Sequence, residues 1–97
     1  MGRAAVDKPW KVYLVVCSDG AYYCGASNDV EARVAKHNTG RGAKYTSYRL
    51  PVRLLCTSEE MTKKEALHLE REVKKVRRDR KPDMVRKGHS LQKAVAT

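Results

Sequence analysis

Two tyrosines, Tyr13 and Tyr23, stand ten positions apart in strand-like surroundings. Arg33 and His37 follow at the four-residue spacing that puts two side chains on one helix face. Tyrosine, arginine and histidine are costly ways to fill a core, because each carries polar atoms that need partners when buried. Grouped together they match what phosphodiester hydrolysis requires. An oxygen or imidazole handles a proton, and a cation meets the charge that develops in the transition state. Glu70, further on, is an acidic residue that could complete such a set as a metal ligand.

The elements that must position these groups can be read from the pattern. Lys11–Cys17 and Ala21–Ala26 are rich in Val and Tyr and are predicted to be strands joined across Ser18-Asp19-Gly20. Strand side chains alternate faces, so Tyr13 and Tyr23 share a face only if paired positions sum to an even number. A two-residue turn at Asp19-Gly20 pairs 18 with 21 and separates the tyrosines. A type I turn with Gly20 left-handed in a bulge pairs 17 with 21 and brings them together. The site therefore requires the bulged turn, which Gly20 permits at little steric cost. Strand one is apolar on both faces, with Val12, Leu14 and Val16 on one and Tyr13, Val15 and Cys17 on the other. Such a strand belongs at the centre of a sheet covered by helices on at least part of both sides.

Asn28 with Glu31 has capping-box spacing and opens a helix that Gly40 ends. A polar loop over Thr39–Ser47 and a third strand over Val52–Thr57 come next. Thr62 with Glu65 is a second capping box, and its helix runs to about Asp79, before Pro82. The expected fold is α+β, a small three-stranded antiparallel sheet flanked by helices. Residues 1–9 are read as a flexible N-terminal arm, 10–80 as one domain and 81–97 as a basic C-terminal tail.

The 97 residues leave room for one domain with a modest core. The net charge of +10 and pI near 9.8 favour a polyanionic partner. No apolar run is long enough to span a bilayer and no signal-peptide core opens the chain, so a cytoplasmic protein without membrane contact is expected. Cys17, Cys24 and Cys56 lack CxxC spacing and are read as reduced, buried thiols.

Each candidate also has a purely structural reading. Glu70 lies at the border of the stripe Ala66, Leu69, Val73 and Val76, and Lys74 at i+4 is an ion-pair partner for it. Arg33 can pair with Asp29 or Glu31. His37 can be a surface residue near a helix C-terminus, where its charged form is favoured. Tyr13 and Tyr23 can be ordinary strand tyrosines with their hydroxyls at the core edge; Tyr22 takes that role because it faces away from Tyr23.

The ordered set of residues resembles the GIY-YIG nuclease family, in particular its small single-domain bacterial branch. Lys11-Val12-Tyr13 and Tyr23-Cys24-Gly25 stand as the two signature triplets, with Lys11 in place of glycine and Cys24 in place of isoleucine. NDVEARVAKHNTGRGAKYT, Pro51-Val52 and EALHLEREVKK follow in order, so the resemblance runs from about Val12 to about Arg78. It implies a metal-dependent DNA endonuclease with catalytic residues Tyr13, Tyr23, Arg33, His37 and Glu70. Glu70 would bind one divalent cation, Mg²⁺ or Mn²⁺, and cleavage would leave 5′-phosphate and 3′-hydroxyl ends.

Tyr13 is then the first choice to activate water, provided that nearby cations lower its pKa, with His37 accepting the proton; the two roles can be exchanged. Gly25, Arg41, Lys44, Tyr45, Thr46 and Lys74 are the expected nucleic-acid contacts. With no room for a separate recognition domain, the expected substrate is single-stranded DNA first and branched DNA second. A non-catalytic nucleic-acid-binding module and a nuclease subunit dependent on a protein partner are the alternatives.

Overall fold

The computed structural model describes residues 8–88. Three strands, β1 (Lys11–Val16), β2 (Tyr22–Ser27) and β3 (Arg53–Thr57), form an antiparallel sheet in the order β2-β1-β3. Helices α1 (Val30–His37), α2 (Lys44–Ser47), α3 (Lys63–Lys75) and α4 (Lys81–Lys87) complete it, with a 3-10 turn at Arg78–Arg80. This is the α+β architecture expected from the sequence.

The doubly apolar β1 sits in the middle because both of its faces are covered. Val12 and Leu14 pack with Cys24, Ala26 and Ala66, Leu69 and Val73 of α3. On the other face Tyr13, Val15 and Cys17 pack with Val52, and with Val30 and Val34 of α1. The hairpin takes the bulged turn. Tyr13 pairs with Gly25 and Val15 with Tyr23, Gly20 N–H donates to the Cys17 carbonyl at 2.9 Å, and Gly20 has φ +87°. Both tyrosines consequently project from the same face of the sheet. Tyr22, on the opposite face, packs on the other core with the Arg78 guanidinium 4.0 Å from its ring centroid.

The strands shift by one residue at most from their expected bounds, and the helical regions differ as follows. Asp29, not Asn28, caps α1; its carboxylate accepts from Ala32 N–H at 3.1 Å, while Ser27 Oγ accepts from Asp29 N–H. The helix ends at His37, with Asn38 as its C-cap and Gly40 following at φ +86°. The loop at Thr39–Ser47 contains the single turn α2, where the Thr46 and Ser47 hydroxyls bond back to Ala43 and Lys44 carbonyls. The Thr62–Glu65 capping box forms as expected, but α3 stops at Lys75 because Val76 is extended. There Lys81 Nζ donates to the Val73 carbonyl at 2.8 Å, satisfying one of the acceptors a helix end leaves open.

Residues 81–87, read from the sequence as the start of a tail, form α4 instead. Pro82 stands in its first turn, Gly88 closes it at φ +72°, and Val85 is buried in the core. Composition hid this helix, since one apolar anchor among charges looks like a solvated run. Of the expected N-terminal arm only Lys8 and Pro9 are described, both exposed, and residues 89–97 of the expected tail lie outside the described residues.

Candidate active site

The sheet, α1 and α3 bring Tyr13, Tyr23, Arg33, His37 and Glu70 together. The bulged hairpin aims Tyr13 and Tyr23 at the C-terminal turn of α1. There His37, 1% exposed, lies between two hydroxyls. Tyr13 Oη is 2.8 Å from His37 Nε2, and Thr46 Oγ1 is 2.9 Å from His37 Nδ1. The Tyr23 ring meets the imidazole edge-on, with centroids 5.2 Å apart. Arg33, one turn earlier on α1, acts on Tyr13 through its charge and through a hydrogen bond. Among the described residues no ion pair joins it to Asp29 or Glu31.

Glu70 approaches from α3, which packs against β2 and β1. Its carboxylate pairs with Lys74 at 2.9 Å, so the expected i,i+4 ion pair is present. The same carboxylate is close enough to act on the titration of Tyr13 and Cys24. Lys74 Nζ also stands 5.8 Å from the Tyr23 ring centroid, and its pKa is raised chiefly by its hydrogen bond to Glu70.

The electrostatics correct one expectation. Cations were expected to lower the Tyr13 pKa, but it is pushed up to about 12. Burial is the main cause, the neighbouring Tyr23 adds to it, and the Arg33 guanidinium opposes it only in part. His37 is held below the usual imidazole value by burial first and by Arg33 second. The site thus holds a protonated phenol against a neutral imidazole at neutral pH.

This arrangement sets a direction for stability. The unfolded chain binds a proton at His37 more readily than the folded one, so His37 adds no penalty above its unfolded pKa of about 6.5. The penalty grows as pH falls from there to the lowered folded value and is constant below it. Urea midpoints measured down this range should fall more in wild type than in His37→Gln.

Two of the expected nucleic-acid contacts need correction. Thr46 is 0% exposed and spends its hydroxyl on His37 and the Ala43 carbonyl, so it offers nothing to a phosphate. Gly25 is buried, and a Cβ there would run into the hydroxyl end of the Tyr13 ring. Its smallness makes room for Tyr13, not for substrate. Arg41, Lys44 and Tyr45 are exposed. The Tyr45 ring is stacked with Tyr23 at 5.9 Å and has the Arg49 guanidinium 4.1 Å from its centroid, which extends the cluster outward.

Two residues that hold the site escaped the sequence reading. Asn38 clamps the end of α1 to the entry of β3: its Nδ2 donates to the Val52 carbonyl at 2.9 Å, and its Oδ1 accepts from Val52 N–H at 2.7 Å. An asparagine just past a helix end was the available signal. Gly42 passes so close to His37 that a Cβ would collide with its ring and Cα. Gly42→Ala should therefore displace the imidazole and cost about 1–3 kcal/mol in a urea melt, the usual range for overpacking.

A GIY-YIG domain is what this three-stranded sheet with its helices on both faces defines. The family model described as the GIY-YIG catalytic domain matches residues 9–83, and the chain belongs to that family. It is 49% identical over 77 residues to a UPF0213 protein of Staphylococcus epidermidis, covering 79% of this chain and 94% of that one. A UPF0213 protein of Staphylococcus aureus is 49% identical over 75 residues, 77% of this chain and 92% of the relative. The solution NMR structure of the UPF0213 protein BH0048 from Bacillus halodurans superposes with a TM-score of 0.50 at 40% identity. That match covers 89% of this chain and 93% of the other. Among the described residues no helix is long and apolar enough to cross a membrane.

Proposed function

We propose that the chain is a metal-dependent endonuclease that hydrolyses DNA phosphodiester bonds with Tyr13 and His37 acting jointly as the base. One observation carries this reading: the 2.8 Å hydrogen bond between Tyr13 Oη and the buried His37 Nε2. A phenol with a pKa of about 12 is no base by itself at neutral pH. A phenol that passes its proton to a neutral imidazole while taking one from water can serve.

In the proposed step water gives a proton to Tyr13 Oη, and the Tyr13 proton moves to His37 Nε2. The water oxygen forms a bond to phosphorus as the bond to the 3′ oxygen breaks. Solvent protonates that oxygen, and the imidazolium later releases its proton to solvent. The products are 5′-phosphate and 3′-hydroxyl ends. Arg33, already acting on Tyr13 Oη, meets the added charge on the phosphate, a role for which a planar guanidinium is suited. Tyr23, edge-on to the imidazole, orients water or phosphate.

Glu70 fits a divalent cation, Mg²⁺ or Mn²⁺. Its side chain is 20% exposed, and a single carboxylate suits a hard cation that keeps its waters and takes its remaining ligands from substrate. Among the described residues no group of three or more acidic, His or Cys side chains could supply a cage made of protein alone. Held by Glu70, such a cation would supply Lewis-acid neutralisation of the charge that develops on the phosphate and leaving group. With Glu70 engaged by such a cation, Lys74 beside Tyr23 would be left to meet a phosphate.

The exposed Arg41, Lys44 and Tyr45 support backbone contact without reading a long sequence, hence single-stranded or branched DNA. The pH dependence of cleavage tests the base. Single-turnover rates should fall on the acid side with an apparent pKa below about 6.5, the ordinary histidine value. A flat profile through that range would remove His37 from the mechanism.

A further inference from the structure

The hydroxyl of Thr46 has one proton, and the geometry gives it a destination. Thr46 Oγ1 donates to the Ala43 carbonyl at 3.1 Å, within the turn of α2. With that proton spent, Oγ1 faces His37 Nδ1, 2.9 Å away, as an acceptor only. Nδ1 must then carry the imidazole proton, leaving Nε2 with a bare lone pair. That lone pair is what Tyr13 Oη meets at 2.8 Å. The Arg33 guanidinium, whose charge also acts on Tyr13, is a donor only and can take no proton from the phenol, which leaves that proton for Nε2.

The hydrogen bonds therefore run in one direction: Tyr13 O–H to His37 Nε2, His37 Nδ1–H to Thr46 Oγ1, and Thr46 O–H to the Ala43 carbonyl. From this we infer that Thr46 is a positioning residue that selects the Nδ1–H tautomer of His37 and so keeps Nε2 ready to receive the Tyr13 proton. The opposite tautomer would point a hydrogen at Tyr13 Oη, and His37 could then accept nothing from it.

The surroundings hold this arrangement in place. Thr46 and His37 are 0% and 1% exposed, so no water competes for either bond. Gly42 closes behind the ring, where a Cβ would force it out of line. The Asn38 clamp to Val52 fixes the helix end on which His37 rides. The one-turn helix α2 thus has a task that its sequence conceals. It delivers a buried hydroxyl to the rear nitrogen of the imidazole from nine residues away.

The inference rests on the nuclease reading for its catalytic consequence, but the tautomer can be measured without substrate or metal. The experiment is a long-range proton–nitrogen correlation spectrum of the full-length ¹⁵N-labelled protein. The His37 ring signals would be assigned by their absence in His37→Gln. Wild type and Thr46→Ser should both show a protonated Nδ1 and a bare Nε2. Thr46→Val, checked for folding by its amide spectrum, should move His37 toward the Nε2–H tautomer.

Single-turnover cleavage should fall on the order of 10²-fold in Thr46→Val, at the low end of what acid–base catalysis contributes, with KM within a few-fold of wild type and recovery in Thr46→Ser. A wild-type His37 protonated at Nε2 would overturn the inference. So would a Thr46→Val protein that keeps the wild-type tautomer. If the tautomer shifts as stated but no variant cuts DNA, the nuclease reading fails while the assignment of the tautomer to Thr46 stands. Should Thr46→Val fail to fold, Thr46→Cys takes its place, because a thiol is a poor acceptor and should weaken the Nδ1–H preference.

Discussion

Tyr13→Phe should lower DNA cleavage by roughly 10²–10⁴-fold, the range in which positioned acid–base groups contribute. The substitution removes one oxygen and leaves the ring that fills its place beside Gly25 and Val15. His37 Nε2 then loses its partner at 2.8 Å, and no group remains between the imidazole and the attacking water. Binding of DNA should be little changed, because Tyr13 is 1% exposed and makes no surface for a phosphate. Single-turnover rates and a salt titration of binding separate the two effects. Equal losses in both would place Tyr13 in substrate binding instead of chemistry.

Glu70→Gln should remove metal-dependent cleavage by about 10²–10³-fold, comparable to the loss of a strong electrostatic contact in a transition state. Glutamine keeps the shape of the side chain and loses the charge. Lys74 would lose its partner at 2.9 Å, but its side chain is 49% exposed and water can replace the carboxylate. The fold should therefore persist, while Mn²⁺ binding followed by calorimetry in the presence of DNA should weaken. DNA binding without metal should hold or strengthen, since a negative charge has left the site. A variant that cuts as well as wild type would separate Glu70 from the metal.

What the sequence disclosed and what it concealed follow from how local each signal is. Two β1–β2 registers were open in the sequence; only the even sum puts Tyr13 and Tyr23 on one face, and Gly20 supplies the left-handed residue that it needs. The central place of β1 was readable from two apolar faces, and the start of α3 from Thr62 with Glu65. The cap of α1 slipped by one residue because Asn28 and Asp29 are both good caps and only the backbone decides between them. The single turn α2 and the short helix α4 were missed because four to seven residues carry too little periodicity.

The electrostatics of the site were the least legible part. Charge counting around Tyr13 finds Arg33 and expects a lowered pKa, but burial, which no spacing reveals, outweighs it. Thr46 looked like a loop residue for phosphate because its real partner, His37 Nδ1, reaches it only through a folded turn.

The most direct test of the central claim is cleavage of end-labelled single-stranded, flap and duplex DNA with Mg²⁺, Mn²⁺ or EDTA, run beside Glu70→Gln. The expected result is metal-dependent cutting of single-stranded or flap DNA that leaves 5′-phosphate and 3′-hydroxyl ends, lost in EDTA and in the variant. Salt-dependent binding by both proteins with no cutting in either metal would contradict it, and the chain would then be a nucleic-acid-binding module on a nuclease fold.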